Sequence, residues 1–184
     1  MRNLGTLPLE TQRTRLRRFQ MKDGLAIYHS WGKFEECSRY FPWGPMPSPT
    51  FAQEKVRGWV EQYQEDSYYQ WGIVEKESGR LIGVVNLHNV DEVNHSAETS
   101  YILSPAYWGR GIMTEVLQEV LRFAFQEVGF HRVEADCFAG NEASRRVLEK
   151  CGMTCEGVSP GKYWKNGGYI DAFCYAILRE EACV

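Results

Sequence analysis

Apolar and polar positions change their spacing along the chain, and each spacing predicts a different element. Apolar residues recur at helical intervals after Asp23, after Thr50, and from Gly111 to Val128. That spacing produces an apolar stripe along one face of a helix. A fourth helix is indicated by Asn141, a favourable N-cap, and Gly152, which suits the left-handed position that ends a helix. At the start of the helix that follows Thr50, Thr50 and Gln53 predict a capping box.

Shorter runs between these helices predict strands, because they alternate or are rich in β-branched and aromatic residues. The runs are 12–19, 69–74, 81–87, 98–103, 131–137, 155–163 and 168–178. The turns Glu77-Ser78-Gly79-Arg80 and Lys165-Asn166-Gly167 join their neighbours into hairpins. We expect one α/β domain over residues 1–184, with its core at about 12–178. Its central sheet is predicted to be mixed, mostly antiparallel and seven-stranded, flanked by four helices.

The segment that indicates chemistry joins the strand ending at Leu103 to the longest helix. It reads Tyr107-Trp108-Gly109-Arg110-Gly111-Ile112-Met113-Thr114. Glycines let the backbone turn and let a ligand approach its amides, and the unpaired amides of a helix N-terminus favour phosphate. No Gly-Lys-Ser/Thr follows, and Thr114 occupies the third glycine position of a dinucleotide fingerprint, so both of those loops are excluded. The segment therefore predicts a pyrophosphate cradle of another kind.

Composition narrows the class of protein. The 184 residues are enough for one buried core, and 43% apolar with 24% charged residues is ordinary for a globular protein. A net charge of −3 gives no electrostatic reason to expect nucleic acid as a partner. No apolar run is long enough for a membrane span and the start lacks a secretion signal, so we expect a cytoplasmic protein without a membrane partner.

The cysteines do not indicate a metal site. Cys151 and Cys155 are the only close pair, and no histidine lies beside them. In the cytosol we expect reduced, mostly buried thiols. The six cysteines are Cys37, Cys137, Cys151, Cys155, Cys174 and Cys183.

The glycine turn resembles the GNAT acyltransferase superfamily, whose acyl-CoA loop has a Gln/Arg-x-x-Gly-x-Gly/Ala pattern between a strand and a helix. Gly109 and Gly111 match the glycines, and Ala106 stands where the family often has Gln or Arg. That departure leaves the cradle intact, because backbone amides would hold the pyrophosphate. The sequences of 97–102 and 107–115 resemble those of one branch of the family, which includes ribosomal-protein N-terminal acetyltransferases (RimJ/RimL-like).

A second motif of that family, Asn-x-x-Ser-x-x-x-x-x-Lys-x-Gly-Phe, lies further along the chain. It matches Asn141, Ser144, Lys150 and Gly152, with Met153 in place of the aromatic residue. The resemblance extends from about Thr14 to Leu178. It implies an acetyl-CoA-dependent N-acetyltransferase acting by direct attack within a ternary complex.

The partners implied by the resemblance are acetyl-CoA and an amine acceptor. The expected acceptor is a protein N-terminus of the ribosomal-protein type. Two alternatives stay open: a small-molecule amine such as a polyamine, amino sugar or antibiotic, and a non-catalytic acyl-CoA-binding sensor. The sequence does not determine the oligomeric state.

The resemblance also suggests which residues bind the cofactor. The family separates its fourth and fifth strands, which leaves a backbone amide at Ile102 or Leu103 as the oxyanion donor. Asn141 is a candidate for binding the pantetheine or the adjacent backbone, and it could instead be a plain helix cap. The pyrophosphate is expected on the amides of Gly109, Arg110, Gly111, Ile112 and Met113.

Acyl transfer to an amine needs a base for the amine and an acid for the leaving thiolate. Glu98 is the candidate base, in the Ala-Glu context of the resembled branch; the alternative is a surface carboxylate paired with a neighbour. Ser144 is the candidate acid and also a candidate cofactor ligand, although it too could be a helix cap. Tyr163 or Tyr175 could replace it as the acid.

Three residues are assigned to the acceptor side: Trp43, His88 and Tyr163. Trp43 lies in a segment, 40–50, that contains four prolines and three large aromatic residues. Prolines prevent regular strand pairing there, while the aromatic residues are too apolar for a solvated linker. A loop folded over a pocket satisfies both facts, and the alternative is that Trp43 plugs the edge of the core.

Overall fold

The computed structural model describes residues 1–182 and contains one mixed sheet of eight strands in the order β1-β2-β3-β4-β5-β6-β8-β7. Neighbouring strands are antiparallel except β5 and β6, which are parallel. The strands are β1 Leu9–Glu10, β2 Thr14–Arg17, β3 Tyr69–Glu75, β4 Leu81–Asp91, β5 Ser96–Leu103, β6 Arg132–Phe138, β7 Thr154–Lys165 and β8 Gly168–Leu178.

The predicted α/β class and the mixed, mostly antiparallel sheet are confirmed, but the count of seven strands is wrong. The additional strand is β1, in which Leu9 pairs with Leu16 and Glu10 pairs with Arg15. A strand of two residues is too short to show any periodicity in the sequence.

The predicted helices are all present, and α2 is an additional short turn. They are α1 Gly24–Ile27, α2 Glu35–Ser38, α3 Pro49–Gln62, α4 Ile112–Arg122 and α5 Glu142–Lys150. A 3-10 turn, Met21–Asp23, precedes α1, and π-helical segments extend α1 through Tyr28–Gly32 and α4 through Phe123–Val128. None of these helices combines the length and apolar character needed to span a bilayer.

The predicted capping box at Thr50 is wrong. Helix α3 begins two residues earlier, where the hydroxyl of Ser48 accepts a hydrogen bond from the amide of Phe51 at 3.1 Å. Gln53 instead donates from Nε2 to the carbonyl oxygen of Met21. A better cap, Ser followed by Pro at the first helical position, therefore takes precedence over Thr50.

Asp23 and Asn141, the residues before two other helices, differ in their roles. The carboxylate of Asp23 does not cap α1; it accepts from the amide of Gln20 and pairs with Arg17 at 2.7 Å. The side chain of Asn141 does cap α5, because its Oδ1 accepts from the amide of Ser144 at 3.2 Å. The second motif thus begins with a capped helix.

Both faces of the sheet are covered. The larger apolar cluster lies between the sheet and α4 and includes Trp71, Val116 and Phe123. The smaller cluster, on the opposite face beneath α1 and α3, includes Ile27 and Trp31. The site described below opens between these layers.

The parallel pairing of β5 and β6 is short. It joins Ser96 to Arg132, Ala97 to Val133 and Glu98 to Glu134, and no further pair follows. Beyond Glu98 the strands separate, which leaves a gap between 99–103 on β5 and 135–138 on β6. Backbone groups that face this gap lack sheet partners and can bind a ligand.

Candidate active site

Two cavities open on either side of the gap. The glycine-loop cavity, about 450 Å³, is lined on one side by Trp108, Gly109, Gly111, Ile112 and Met113. The aromatic cavity, about 480 Å³, has walls formed by Trp31, Phe41, Trp43, Phe51 and Trp59. Both cavities are lined by the same shared set of Cys37, Phe41, Ser100, Tyr101 and Ile102. Ligands in the two cavities would therefore meet at β5.

The glycine loop presents its amides to the first cavity. Within residues 1–182, the amides from 109 to 114 donate no hydrogen bond, and the first bond of the helix runs from Glu115 to the carbonyl of Gly111. Gly109 and Gly111 both have φ of +73°. Unpaired amides at the positive end of a helix dipole fit a pyrophosphate. Ile112 and Met113 line this cavity, whereas Arg110 lies in the same loop but does not line it.

Arg13, the residue before β2, forms hydrogen bonds with the glycine loop and with α4. Its Nη1 donates to the carbonyl oxygen of Arg110 and its Nε to the carboxylate of Glu115, each at 2.7 Å. Burial acts to raise the pKa of Glu115, but hydrogen bonds from Thr11 and Arg13 outweigh it and hold the pKa below its ordinary value. Arg13 therefore links the segment before β2 to the glycine loop and to α4.

Cationic side chains also line the glycine-loop cavity. Arg146 and Lys150 on α5 border it, and neither forms an ion pair among the described residues. The guanidinium of Arg110 instead lies 5.3 Å from the centroid of the Tyr107 ring. Sequence reasoning missed Arg146, although its place on the helix after Ser144 was a usable signal.

The structure distinguishes the two candidate amides on β5. The amide of Ser104 bonds to Ile82 on β4, and pairs in an antiparallel ladder alternate between bonded and non-bonded. The amide of Ile102 therefore faces β4. The amide of Leu103 faces the gap, as does its carbonyl oxygen, which accepts from the indole of Trp108 at 2.7 Å.

Ser144 lies in the glycine-loop cavity and has a partner that the sequence did not reveal. Its Oγ is 2.9 Å from the phenol oxygen of Tyr101. Burial raises the pKa of Tyr101 well above its ordinary value, so the phenol stays protonated. Tyr101 was missed because a tyrosine within a strand reads as a packing residue. Asn141, the cap of α5, also lines this cavity.

Tyr175 does not lie at the site. It lines neither cavity, and its hydroxyl donates to Glu149 at 3.0 Å while accepting from Arg145 at 3.2 Å. Burial is the first cause of its raised pKa. These contacts tie Tyr175 to α5 from the core side.

Glu98 and His88 lie at the apex of the gap. They face each other in the β4–β5 register, and Glu98 also faces Glu134 in the last parallel pair. The carboxylate of Glu98 accepts from Nδ2 of Asn89 at 3.0 Å. Neither Glu98 nor His88 lines either of these two cavities. Any contact of Glu98 with a substrate amine would therefore run through water.

Tyr163 belongs to a cluster around Asp136. Its hydroxyl donates to Oδ2 of Asp136 at 2.5 Å, and Nζ of Lys162 is 2.5 Å from the same oxygen. Burial, followed by the bond to Asp136, raises the pKa of Tyr163. The Tyr163 ring stacks on Phe138, with centroids 4.6 Å apart. Asp136 lines the glycine-loop cavity, and no local pattern had indicated it.

Trp43 lies on the wall of the aromatic cavity and is 56% exposed, so it does not plug the core. Its ring stacks on Phe41 with centroids 4.7 Å apart. The loop that carries both residues is held by Lys165 of the β7–β8 hairpin, whose Nζ donates to the carbonyl oxygens of Ser38, Phe41 and Trp43. One ammonium therefore fixes the wall of the cavity.

The cysteines are thiols throughout the described part of the chain. Cys37, Cys137, Cys151, Cys155 and Cys174 are free, and Cys183 lies outside the described residues. Cys37 is the one at the junction of the cavities, and burial raises its pKa to about 12. A thiol with that pKa is a poor nucleophile near neutral pH. Among residues 1–182, no cluster of side chains is suited to hold a metal ion.

Comparison with known proteins agrees with this geometry. The N-acetyltransferase YoaA of Bacillus subtilis is 32% identical over 171 residues, which cover 93% of this chain and 96% of YoaA. The ribosomal-protein-serine acetyltransferase of Escherichia coli is 28% identical over 136 residues (71% of this chain, 75% of that protein). The spermidine N(1)-acetyltransferase of Vibrio cholerae is 27% identical over 139 residues (76% and 79%).

Solved structures share the fold. The crystal structure of a GNAT-family acetyltransferase from Bacillus anthracis has a TM-score of 0.85 and 25% identity, covering 95% of this chain and all of that one. The family model for the acetyltransferase (GNAT) domain matches residues 13–154. That match includes the glycine loop, both flanks of the gap and the whole of α5, so the chain belongs to the GNAT family of acetyltransferases.

Proposed function

We propose that this GNAT acetyltransferase transfers the acetyl group of acetyl-CoA directly to a primary amine, and that the acceptor is the N-terminal amine of a protein. The observation that carries the proposal is the junction of the two cavities at Ser100, Tyr101 and Ile102. An amine in one cavity can reach an acyl group in the other without a covalent step on the protein. The raised pKa of Cys37 supports direct transfer.

The residues of the glycine-loop cavity fit CoA. The amides from 109 to 114 would bind its pyrophosphate, and Arg146 and Lys150 would balance its negative charge. When bound, acetyl-CoA supplies the activated acetyl group. The amide of Leu103 faces the gap and would donate to the carbonyl oxygen as negative charge develops on it.

Two side chains would transfer the protons of the reaction, one as the acid and one as the base. Ser144, hydrogen-bonded to Tyr101, would donate a proton to the leaving thiolate. Glu98 at the apex would accept the proton of the amine through water. An N-terminal amine has a pKa of about 8 and is partly neutral already, so a distant base is sufficient.

The names of two relatives state different acceptors, a ribosomal-protein serine and spermidine. A protein N-terminus is favoured by the aromatic cavity, whose rim residue Trp43 is 56% exposed. A chain can enter at this rim and continue into solvent. Spermidine has no need of an open rim, because it is short enough to be enclosed.

The test is a measurement of CoA release with a panel of acceptors. Short peptides with free N-termini, spermidine and an amino sugar are compared at saturating acetyl-CoA, with mass spectrometry of the products. We expect kcat/KM for the best peptide to exceed that for spermidine by about tenfold or more. Preference for spermidine contradicts the protein acceptor. CoA binding without turnover on any amine contradicts the enzymatic proposal and favours a sensor.

A further inference from the structure

A row of polar side chains crosses the floor of the aromatic cavity. Gln70 on β3 pairs in register with Asn86 on β4, and Asn86 pairs with Ser100 on β5. All three line the cavity. Neighbouring strands lie about 4.8 Å apart, so the row extends about 10 Å from the gap toward α3.

The row contains amide donors that bind nothing. Oδ1 of Asn86 accepts from the amide of Ser100 at 3.2 Å and from its hydroxyl at 2.9 Å, which fixes the orientation of the carboxamide. Its Nδ2 has no partner within residues 1–182. Gln70 is only 6% exposed, and its Nε2 also lacks a partner. Nε2 of Gln70 is buried, and buried donors without a partner are rare and costly.

The charges around the row exclude one kind of acceptor. Among residues 1–182, no Asp or Glu lines the aromatic cavity, and the one charged side chain in its lining is that of Lys55. A polyamine presents only cationic donors, which would face further donors and a positive charge here. A ligand that presents oxygen acceptors is complementary to Gln70, Asn86 and Lys55.

We infer that the carboxamides of Gln70 and Asn86 bind the backbone carbonyl groups of an extended peptide whose N-terminal amine lies at the Ser100 end of the row. The hydroxyl of Ser100 donates its proton to Asn86 and is left to accept from that amine. This inference rests on the proposed function and adds the groups that recognise the acceptor. An extended peptide rises about 3.3 Å per residue, so a row of about 10 Å accommodates about three residues. The aromatic walls then receive its side chains.

Two substitutions remove the donors with little change of shape. Gln70→Met replaces the carboxamide by an apolar chain of similar length. Asn86→Asp keeps an oxygen for the two bonds from Ser100 and replaces the free donor by an acceptor. We expect either change to raise KM for a tripeptide acceptor about tenfold or more, with CoA affinity unchanged. Gln64→Met, at an exposed position outside both cavities, serves as the matched control.

Stability separates recognition from a structural role. Because Nε2 of Gln70 forms no hydrogen bond, Gln70→Met is expected to melt at the same temperature as the parent protein or higher. A lowered melting temperature together with unchanged tripeptide kinetics would overturn the assignment.

A comparison of two acceptors is the second part of the test. The same variants are assayed with a tripeptide and with spermidine, which has no carbonyl groups. Loss confined to the tripeptide supports the row, whereas equal losses for both amines overturn it. If the parent protein acetylates neither amine, the proposed function has failed. Calorimetric binding of the tripeptide to the CoA complex then tests the row alone, and equal affinity of Gln70→Met and the parent overturns it.

Discussion

The two cavities that meet at β5 are built in different ways. The glycine-loop cavity depends on backbone amides from one continuous segment, 109–114, at the start of α4. The aromatic cavity depends on side chains from α3, the loop before it and three strands, which are distant in sequence. A cofactor that is the same for every reaction can be held by backbone, while an acceptor that must be distinguished requires side chains.

This difference implies different responses to mutation. Side-chain substitutions should barely affect a site made of amides unless they change the backbone conformation. Substitutions around the aromatic cavity should change acceptor use and leave CoA affinity alone. The predictions below test this contrast, beginning with the largest expected effect.

Gly111→Val should weaken CoA binding by about 100-fold or more. A Cβ at Gly111 would meet only Arg13 Nη2 at 3.7 Å, so steric crowding is not the reason. The reason is φ of +73°, which costs a β-branched residue about 1–3 kcal/mol and would displace the neighbouring amides. Titration calorimetry with CoA measures the effect.

The matched control for this change is Gly79→Val. Gly79 lies in the β3–β4 turn with φ of +67° and open space around it. It should lose similar stability and keep full CoA affinity. Equal CoA affinities for both variants would refute the amide cradle.

Trp43→Ala should lower kcat/KM for the acceptor by about tenfold, because a large apolar contact is lost from the cavity wall. CoA affinity should not change. Since Trp43 is 56% exposed, the melting temperature should fall by only a few degrees, unlike the roughly 3–5 kcal/mol lost when a core tryptophan is truncated. Kinetics at saturating acetyl-CoA and thermal melts form the paired measurement.

Trp164→Ala is the control, because Trp164 is 59% exposed, packs on Tyr169 and lines neither cavity. Acceptor kinetics should be unaltered in this variant. If both tryptophans behave alike, the wall assignment is wrong.

Glu98→Gln should lower turnover about tenfold near pH 7, with a loss that shrinks as the pH rises toward about 9. Below its pKa of about 8 an N-terminal amine is mostly protonated and needs a base; above that pH solvent has already removed the proton. The measurement is the pH profile of kcat for both proteins. Glu134→Gln, the partner across the last β5–β6 pair, is the control. Parallel profiles would leave Glu98 with a structural role.

Lys165→Met should produce the smallest change, raising the acceptor KM about fivefold with CoA affinity intact. The variant loses the ammonium that holds the carbonyl groups of Ser38, Phe41 and Trp43, so the loop becomes more mobile. Lys76→Met removes a comparable bond, to the carbonyl of Thr11, away from the site. Identical acceptor KM values for the two variants would argue against a role of Lys165 in positioning the loop.

Local sequence patterns were enough to predict helix α4 and the glycine turn before it. Helix α4 was predicted because Val116, Leu117 and Val120 repeat at helical spacing, and all three are buried in the structure. The glycine pair and the helix start that follows it predicted an anion cradle from the sequence alone. These features are visible in the sequence because each depends on residues within a few positions of one another, where propensity and periodicity act.

Tertiary structure decided the rest. The pairing of Tyr101 with Ser144, of Tyr163 with Asp136, and the row from Gln70 to Ser100 join residues that are far apart in the chain. Such contacts depend on strand register and on the separation of β5 from β6 after Glu98, and these follow from packing of the whole sheet between its helices. The sequence by itself therefore determined the fold class and predicted the cofactor loop, whereas the acceptor side depends on distant side chains that only the tertiary structure brings onto one face.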